Sequence, residues 1–174
     1  MTQRILGLSA FHADASAAAV QDGRFLAGVE EERFRRIKHW AGFPEQALRF
    51  CLAELGVEMA GVEALAVSRQ PRAYFLRKAL LALTHPRSLR RAAGRVRNLA
   101  QIQSLEERIA AAFGRSPRVH PVEHHLAHVA SAFFCSPFED AMCLTVDGFG
   151  DFVSTMLAHG RGNRLEVLER VHFP

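Results

Sequence analysis

The chain has 174 residues, of which 49% are hydrophobic and 23% charged, and its formal net charge is +4. This balance is typical of a folded globular protein and excludes an intrinsically disordered one. No run approaches the roughly 20 apolar residues of a membrane-spanning helix, and polar residues from His12 onward come too early for a signal peptide. We therefore expect a cytoplasmic protein without a membrane span.

The first 70 residues are typical of strands around one helix. The apolar run "RILGLSA" predicts a core strand, and two apolar runs joined by "QDGR" predict a hairpin. Apolar residues at helical spacing between Pro44 and Gly56 predict a helix that starts after the proline and stops at the glycine. The run "VEALAVSR" predicts a short buried strand.

The middle of the chain is strongly basic. No acidic residue occurs from Ala64 to Leu105, and residues 72–113 have a helical pattern that breaks near "THPRS". We expect two helices that form a basic arm. Its charge suits a solvated face, the wall of a cleft for an anionic substrate, or a nucleic-acid or membrane surface. Aromatic residues are sparse in the arm, which argues against nucleic acid as a partner.

The last third of the chain repeats the pattern of the first residues, in which apolar strands are joined by tight turns. The run "RVHPVEHH" predicts a strand, which a helix from about His124 to Phe134 follows. Three strands with turns at "VDGFGD" and "GRGN" complete the chain. We therefore expect two related α/β lobes, the first over 1–138 with the basic helical arm at about 70–115, and the second begun by residues 139–174.

The second lobe is predicted to be incomplete. No helix follows its third strand, so we expect an uncovered apolar face and unprotected edges. This favours a truncated chain that is part of a longer protein, and it favours association into a homo-oligomer. The three cysteines, Cys51, Cys135 and Cys143, lie in apolar runs without a CxxC spacing, and they are expected to be buried free thiols.

Two histidines at helical spacing suggest a metal site. His124 and His128 stand four residues apart, which places both on one helix face. Asp147 ends an apolar strand and is the best candidate for a third ligand. Two histidines and a carboxylate suit Fe(II), Zn(II) or Mn(II), whereas His125 points aside and is expected to make a hydrogen bond. The alternative is a set of capping or core histidines without metal.

Polar residues elsewhere are candidates for substrate contacts. His12, between two apolar strands, is placed for general base catalysis, although a structural turn explains it equally well. Lys38 and His39 form a plausible clamp for phosphate or carboxylate, and Asp14 lies in the same polar turn as His12.

Glycines in the last third suggest a second kind of contact. Gly148 and Gly150 permit a tight turn whose N–H groups can approach a phosphate, the alternative being a plain hairpin. The acidic run that includes Glu31 is expected to be a solvated face.

Four motifs together resemble one family. They are "GLSAFHADASAAAV", "GVEEERFRRIKHWAGFP", "EHHLAHVASAFFCSPFEDA" and "LTVDGFGD", in this order. In order and separation they resemble the N-terminal part of the nodulation- and antibiotic-type O-carbamoyltransferases. That part is similar to the tRNA threonylcarbamoyl-transferase proteins, which implies an RNase H-like α/β lobe of the actin, sugar-kinase and heat-shock ATPase type, with the first strands of a second.

The resemblance implies a two-stage reaction. ATP and carbamoyl phosphate give carbamoyl-adenylate in a C-terminal domain, and the N-terminal domain passes the carbamoyl group to a hydroxyl of a sugar or secondary-metabolite acceptor. The family's metal ligands, which hold iron(II), fall on His124, His128 and Asp147. His12 is then the expected base for the acceptor hydroxyl, and Lys38 the expected contact to the donor.

The chain departs from this family pattern by ending early. It lacks the family's fourth metal ligand, its adenosine-binding glycine loops and its adenylate-forming domain, so the chain alone is expected to be inactive. Two other functions stay open. One is a non-catalytic, truncated metal- or nucleotide-binding module or remnant, and the other is a protein related to tRNA modification.

Overall fold

The computed structural model describes residues 2–11, 13–70 and 105–172, which form a mixed α/β structure. Within these ranges the chain divides into two compact units, one of residues 2–68 and 105–121, the other of residues 69–70 and 122–172. The elements of the first unit are β1 (Arg4–Ser9), β2 (Ser16–Gln21), β3 (Arg24–Glu30), α1 (Glu32–Arg35), α2 (Glu45–Leu55), β4 (Ala64–Val67), α3 (Leu105–Phe113) and β5 (Arg118–Pro121). Those of the second are α4 (His124–Phe134), β6 (Asp140–Gly150), β7 (Val153–Arg161) and β8 (Arg164–His172).

The first unit is built on a five-stranded mixed sheet in the order β3-β2-β1-β4-β5. β1 pairs antiparallel with β2 and parallel with β4, and β5 continues the parallel side. The predicted hairpin turn lies at Asp22 and Gly23, whose φ angles of 51° and 75° are those of a tight turn with left-handed residues. A hairpin on one side of β1 and parallel strands on the other confirm the predicted RNase H-like fold class.

Helix α2 covers this sheet. It starts after Pro44 and ends at Gly56 in the left-handed conformation, with φ 65°, as the sequence predicts. It packs against β2 and β3 through one apolar stripe. The buried residues of that stripe are Ala47, Leu48, Cys51, Leu52 and Leu55.

One charged residue of the predicted solvated face is buried. Glu31 has 0% exposure, and its carboxylate accepts hydrogen bonds from the Arg35 Nε at 2.7 Å and from the backbone N–H of Ala47 at 2.8 Å. The second bond satisfies a free N–H in the first turn of α2. The solvated-face prediction is therefore wrong for Glu31, because this carboxylate caps a helix that starts 14 residues later in the chain.

The second unit is an antiparallel sheet in the order β6-β7-β8, covered on one face by α4. β6 extends through Gly148 and Gly150, so the predicted turn at these glycines is wrong. The turn instead lies at Asp151 and Phe152, both left-handed with φ of 49° and 78°. The predicted turn at "GRGN" is confirmed, with Gly162 at φ 54°.

The two faces of β6 differ. Alternate residues Met142, Leu144 and Val146 are 57%, 66% and 73% exposed, whereas Cys143 and Thr145 face α4. The sheet was expected to lack a covering helix altogether, and that expectation is wrong for one face. Helix α4 groups with this unit because it packs on β6 and β7, whereas the predicted boundary followed residue 138.

The cysteines differ from the prediction of three buried thiols. All three are free, but Cys51 alone is buried, while Cys143 is half-buried and Cys135 exposed. Cys135 is the first residue after α4, and its side chain is exposed to solvent. The predicted basic arm lies mostly outside the described residues. Among those that the structure describes, no helix is long and apolar enough to span a membrane.

We predict that the Glu31→Gln substitution lowers the free energy of unfolding by about 2–3 kcal/mol, because it removes the charged acceptor from a buried N–H and from Arg35. Chemical denaturation measures this loss. Glu30→Gln is the matched control, since the Glu30 side chain is 41% exposed and its contact with the Arg33 guanidinium is long, at 3.5 Å. Its effect should stay within about 0.5 kcal/mol. Equal effects of the two substitutions would refute the capping role.

We predict that a thiol reagent labels Cys135 rapidly in the native protein and Cys51 only after unfolding. Cys51 is buried, and burial raises the pKa of its thiol to about 11, so little thiolate is present at neutral pH. Mass spectrometry of the labelled peptides separates the sites. Cys51→Ala should leave the native labelling unchanged, and a native rate that falls in this variant would contradict the prediction.

Candidate metal centre

The periodicities of a helix and a strand bring three polar side chains together in the second unit. His124 and His128 lie one helical turn apart on α4. On β6, Asp147 shares the α4-facing side with Thr145, two residues earlier. Regular pairing of β6 with β7 stops at Val146 and resumes at Gly150, so Asp147 lies where the strand departs from the ladder. The donor atoms of the three side chains all lie within 4.8 Å of one another.

The distances fit a shared ion. The Nε2 of His124 lies 2.7 Å from the Oδ2 of Asp147 and 3.1 Å from the Nε2 of His128, and the third separation, His128 Nε2 to Asp147 Oδ2, is 3.9 Å. Ligands bound to one ion at about 2.0–2.2 Å are at most about 4.4 Å apart. All three separations satisfy this limit, so one divalent cation can be reached by all three atoms.

The two contacts of the His124 Nε2 compete with each other. A ring nitrogen carries either a proton or a lone pair, so the Nε2 of His124 cannot both donate to Asp147 and accept from His128. One cation bound by the three atoms removes the conflict, because each atom then contributes a lone pair. His128 and Asp147 are 51% and 43% exposed, which leaves room for further ligands from solvent or substrate.

The third histidine of the helix is not part of this cluster. His125 has 0% exposure, and its Nδ1 lies 2.7 Å from the Thr145 hydroxyl while its Nε2 lies 2.9 Å from the Val153 carbonyl oxygen. Both ring nitrogens are therefore occupied. The prediction that His125 makes hydrogen bonds beside the cluster is confirmed.

The cluster depends on a close approach between helix and hairpin. A Cβ at Gly150 would overlap the ring of His124, and one at Gly160 would lie 2.6 Å from the ring of Phe133. Asp151 completes the approach, because its Oδ2 accepts the backbone N–H of His124 at 3.1 Å, at the start of the helix. The sequence marked Gly150 as a turn residue and missed that it makes space for a histidine ring.

The protonation states suit a metal ligand set. Burial, assisted by the neighbouring His124, lowers the pKa of His128, so its imidazole is neutral at pH 7. The hydrogen bond from His124 holds the pKa of the Asp147 carboxyl below its usual range, so Asp147 is ionised. Both groups are thus already in the deprotonated form that binds a cation.

The other predicted site residues lie apart from this cluster in the chain. In the first unit, the Oδ1 of Asp14 lies 2.9 Å from the Nδ1 of His39, and both residues are left-handed, with φ of 64° and 55°. This pair raises the pKa of His39 through the hydrogen bond and the charge of Asp14. Lys38 is exposed beside it. His12 lies outside the described residues, and Gly148 faces open space.

Solved structures with a similar chain path include YeaZ from Pseudomonas aeruginosa, at 18% identity and a TM-score of 0.49, where 99% of this chain and 68% of that chain are covered. A ROK hexokinase from Thermus thermophilus matches at 18% identity and a TM-score of 0.43, over 97% of this chain and 49% of that one. The strand order of the first sheet, described above, is what places this chain in the RNase H-like class.

Relatives are found in bacteria. An uncharacterised protein of Synechocystis sp. is 38% identical over 98% of this chain, and the nodulation protein NolNO of Sinorhizobium fredii is 35% identical over 91% of it. The chain spans 29% and 23% of the lengths of these two proteins. A family model described as "Carbamoyltransferase N-terminus" matches residues 4–174. The chain therefore belongs to the carbamoyltransferase N-terminus family.

Proposed function

We propose that this chain is the N-terminal segment of an ATP-dependent O-carbamoyltransferase, in which His124, His128 and Asp147 hold a divalent metal ion. The observation that carries the proposal is the convergence of two imidazole nitrogens and one carboxylate oxygen within 4.8 Å. Family membership supplies the transferase class, and the ligand set supplies the place where the chemistry would occur. Iron(II) is the proposed ion, and Zn(II) or Mn(II) also suits these ligands.

When bound, the proposed metal ion would supply Lewis-acid polarisation of a carbamoyl carbonyl. The residues of this chain hold and orient it. The exposed edges of His128 and Asp147 leave the site open to an anionic donor, proposed to be carbamoyl-adenylate made from ATP and carbamoyl phosphate. The relatives extend well beyond this chain, and we propose that the adenylate-forming step belongs to such additional sequence.

The first unit holds polar groups that we propose for donor binding and proton transfer. The Nδ1 of His39 lies 2.9 Å from the Asp14 carboxylate, and Asp14 raises the pKa of that ring, so we propose that His39 helps to bind the anionic donor. Lys38 offers a positive charge for the donor, and His12 stays the proposed base for the acceptor hydroxyl. That acceptor is proposed to be a sugar or another secondary metabolite.

We predict that the purified 174-residue chain binds one Fe(II) or Zn(II) ion and that His124→Ala and Asp147→Ala each lose stoichiometric binding, since either change removes one of three ligands. Anaerobic isothermal titration calorimetry and metal analysis measure this.

His159→Ala is the matched control for these two variants. His159 also contacts a carboxylate, that of Asp140 at 2.7 Å, but outside the cluster. Metal binding that survives in His124→Ala and Asp147→Ala would contradict the site. A chain that folds but binds no metal would favour the non-catalytic module.

We predict that Asp14→Asn lowers the pKa of His39 toward the ordinary value of 6.5, because the substitution removes the charge that stabilises the imidazolium. The folded-state pKa is raised in the native protein, so any stability gained from the pair is present at low pH and is lost as the pH rises through that pKa. An NMR titration of the His39 ring protons measures the shift. Glu63→Gln, an exposed change elsewhere in the unit, should leave the His39 titration unmoved.

A further inference from the structure

The buried histidine between the two cluster histidines in the chain has a role of its own. His125 is fully buried, although its neighbours His124 and His128 reach solvent at the rim of the hairpin. A buried imidazole is retained at low cost only when both ring nitrogens have partners. The Thr145 hydroxyl and the Val153 carbonyl are those partners, at 2.7 Å and 2.9 Å.

These two partners fix the tautomer of the ring. A carbonyl oxygen only accepts hydrogen bonds, so the Nε2 of His125 must carry the proton and donate it to Val153. The Nδ1 then has a lone pair and accepts the hydrogen bond of the Thr145 hydroxyl. Both ring nitrogens of His125 are thus held by protein atoms, and neither is free to bind a metal ion.

The partners also fix the position of the helix. Thr145 belongs to β6 and Val153 to β7, so the single ring of His125 binds α4 to both strands of the hairpin. Thr145 lies two residues before Asp147 on the same side of β6. The hydrogen bond between Thr145 and His125 therefore sets how far α4 is displaced along β6, and with it the distance from the cluster histidines to Asp147.

We propose that His125 is a positioning residue, which locks α4 onto the β6–β7 hairpin through Thr145 and Val153 so that His124, His128 and Asp147 converge on one cation. The inference rests on the proposed function, because the converging set is the proposed metal site. It adds a role for two residues, His125 and Thr145, that do not touch the ion.

The test compares two substitutions that make the same chemical change. Thr145→Val removes the hydroxyl that holds the Nδ1 of His125 and keeps the shape of the side chain. Thr155→Val makes the same change on β7, where Thr155 pairs with the solvent-facing Val146. His125→Gln serves as a third variant, since its amide keeps one donor for the Val153 carbonyl.

Calorimetry with Zn(II) on the purified chain is the first measurement, and thermal unfolding is recorded beside it. We expect Thr145→Val to weaken Zn(II) binding by about 10- to 100-fold, the usual effect of losing a residue that orients a metal ligand. Thr155→Val should bind as the parent does, and His125→Gln should lie between the two. Equal affinities of Thr145→Val, Thr155→Val and the parent would overturn the positioning role and leave the metal site intact.

A second measurement keeps the two proposals separable. ¹⁵N NMR of the metal-free parent at one pH reports the His125 tautomer, and contacts between the His124 ring protons and the Hα protons of Gly150 report the close approach of α4 to the hairpin. We expect the Nε2–H tautomer, and we expect the approach to be lost in Thr145→Val but kept in Thr155→Val. If this pattern is seen but the parent does not bind Zn(II), the positioning role of His125 stands and the proposed metal site is refuted. An Nδ1–H tautomer would overturn the lock whatever the metal result.

Discussion

The second unit depends on the close contact of one helix with two glycines. Helix α4 rests near its start on Gly150 and near its end on Gly160, and a Cβ at either position would collide with an aromatic ring of the helix. Such contact lets short side chains bridge the two elements. A threonine and an aspartate on β6 can then reach histidine rings directly, because the helix is held near the backbone of the hairpin.

The periodicity of the same helix separates its buried residues from the histidines of the cluster. Its inner stripe, made by His125, Val129 and Phe133, is buried against the sheet, while His124 and His128 lie at the edge of that stripe. Strand β6 also has two different faces, because its side chains alternate with a period of two. Its apolar residues at even positions face solvent, whereas Thr145 faces the helix. The helical period and the strand period together place the polar cluster at the rim of the sheet, next to the buried His125.

Much of the candidate site could be predicted from the sequence, because its residues lie at short, regular spacings along one helix and the strand that follows it. The bounds of α4 and the pairing of Asp147 with the two histidines follow from helical and strand periods. Glu31 was misassigned, since its burial depends on a helix that only the folded chain brings to it. The turn predicted at "VDGFGD" was placed on its glycines rather than at Asp151 and Phe152, because Phe152 does not favour the left-handed conformation that it adopts. Cys135 resembled its apolar neighbours, and its exposure depends on where α4 ends.

The cluster is also close in the chain. His124 and Asp147 are separated by 23 positions, and the strands that complete the hairpin follow at once through two-residue turns. Closing so short a loop costs little chain entropy, and local contacts of this kind form early when a protein folds. The first unit is different, because β4 and β5 belong to one sheet but are separated by 50 residues, from Ser68 to Pro117. During synthesis, the side chains of His124, His128 and Asp147 can therefore come together soon after β7 has left the ribosome, without a contact to a distant part of the chain.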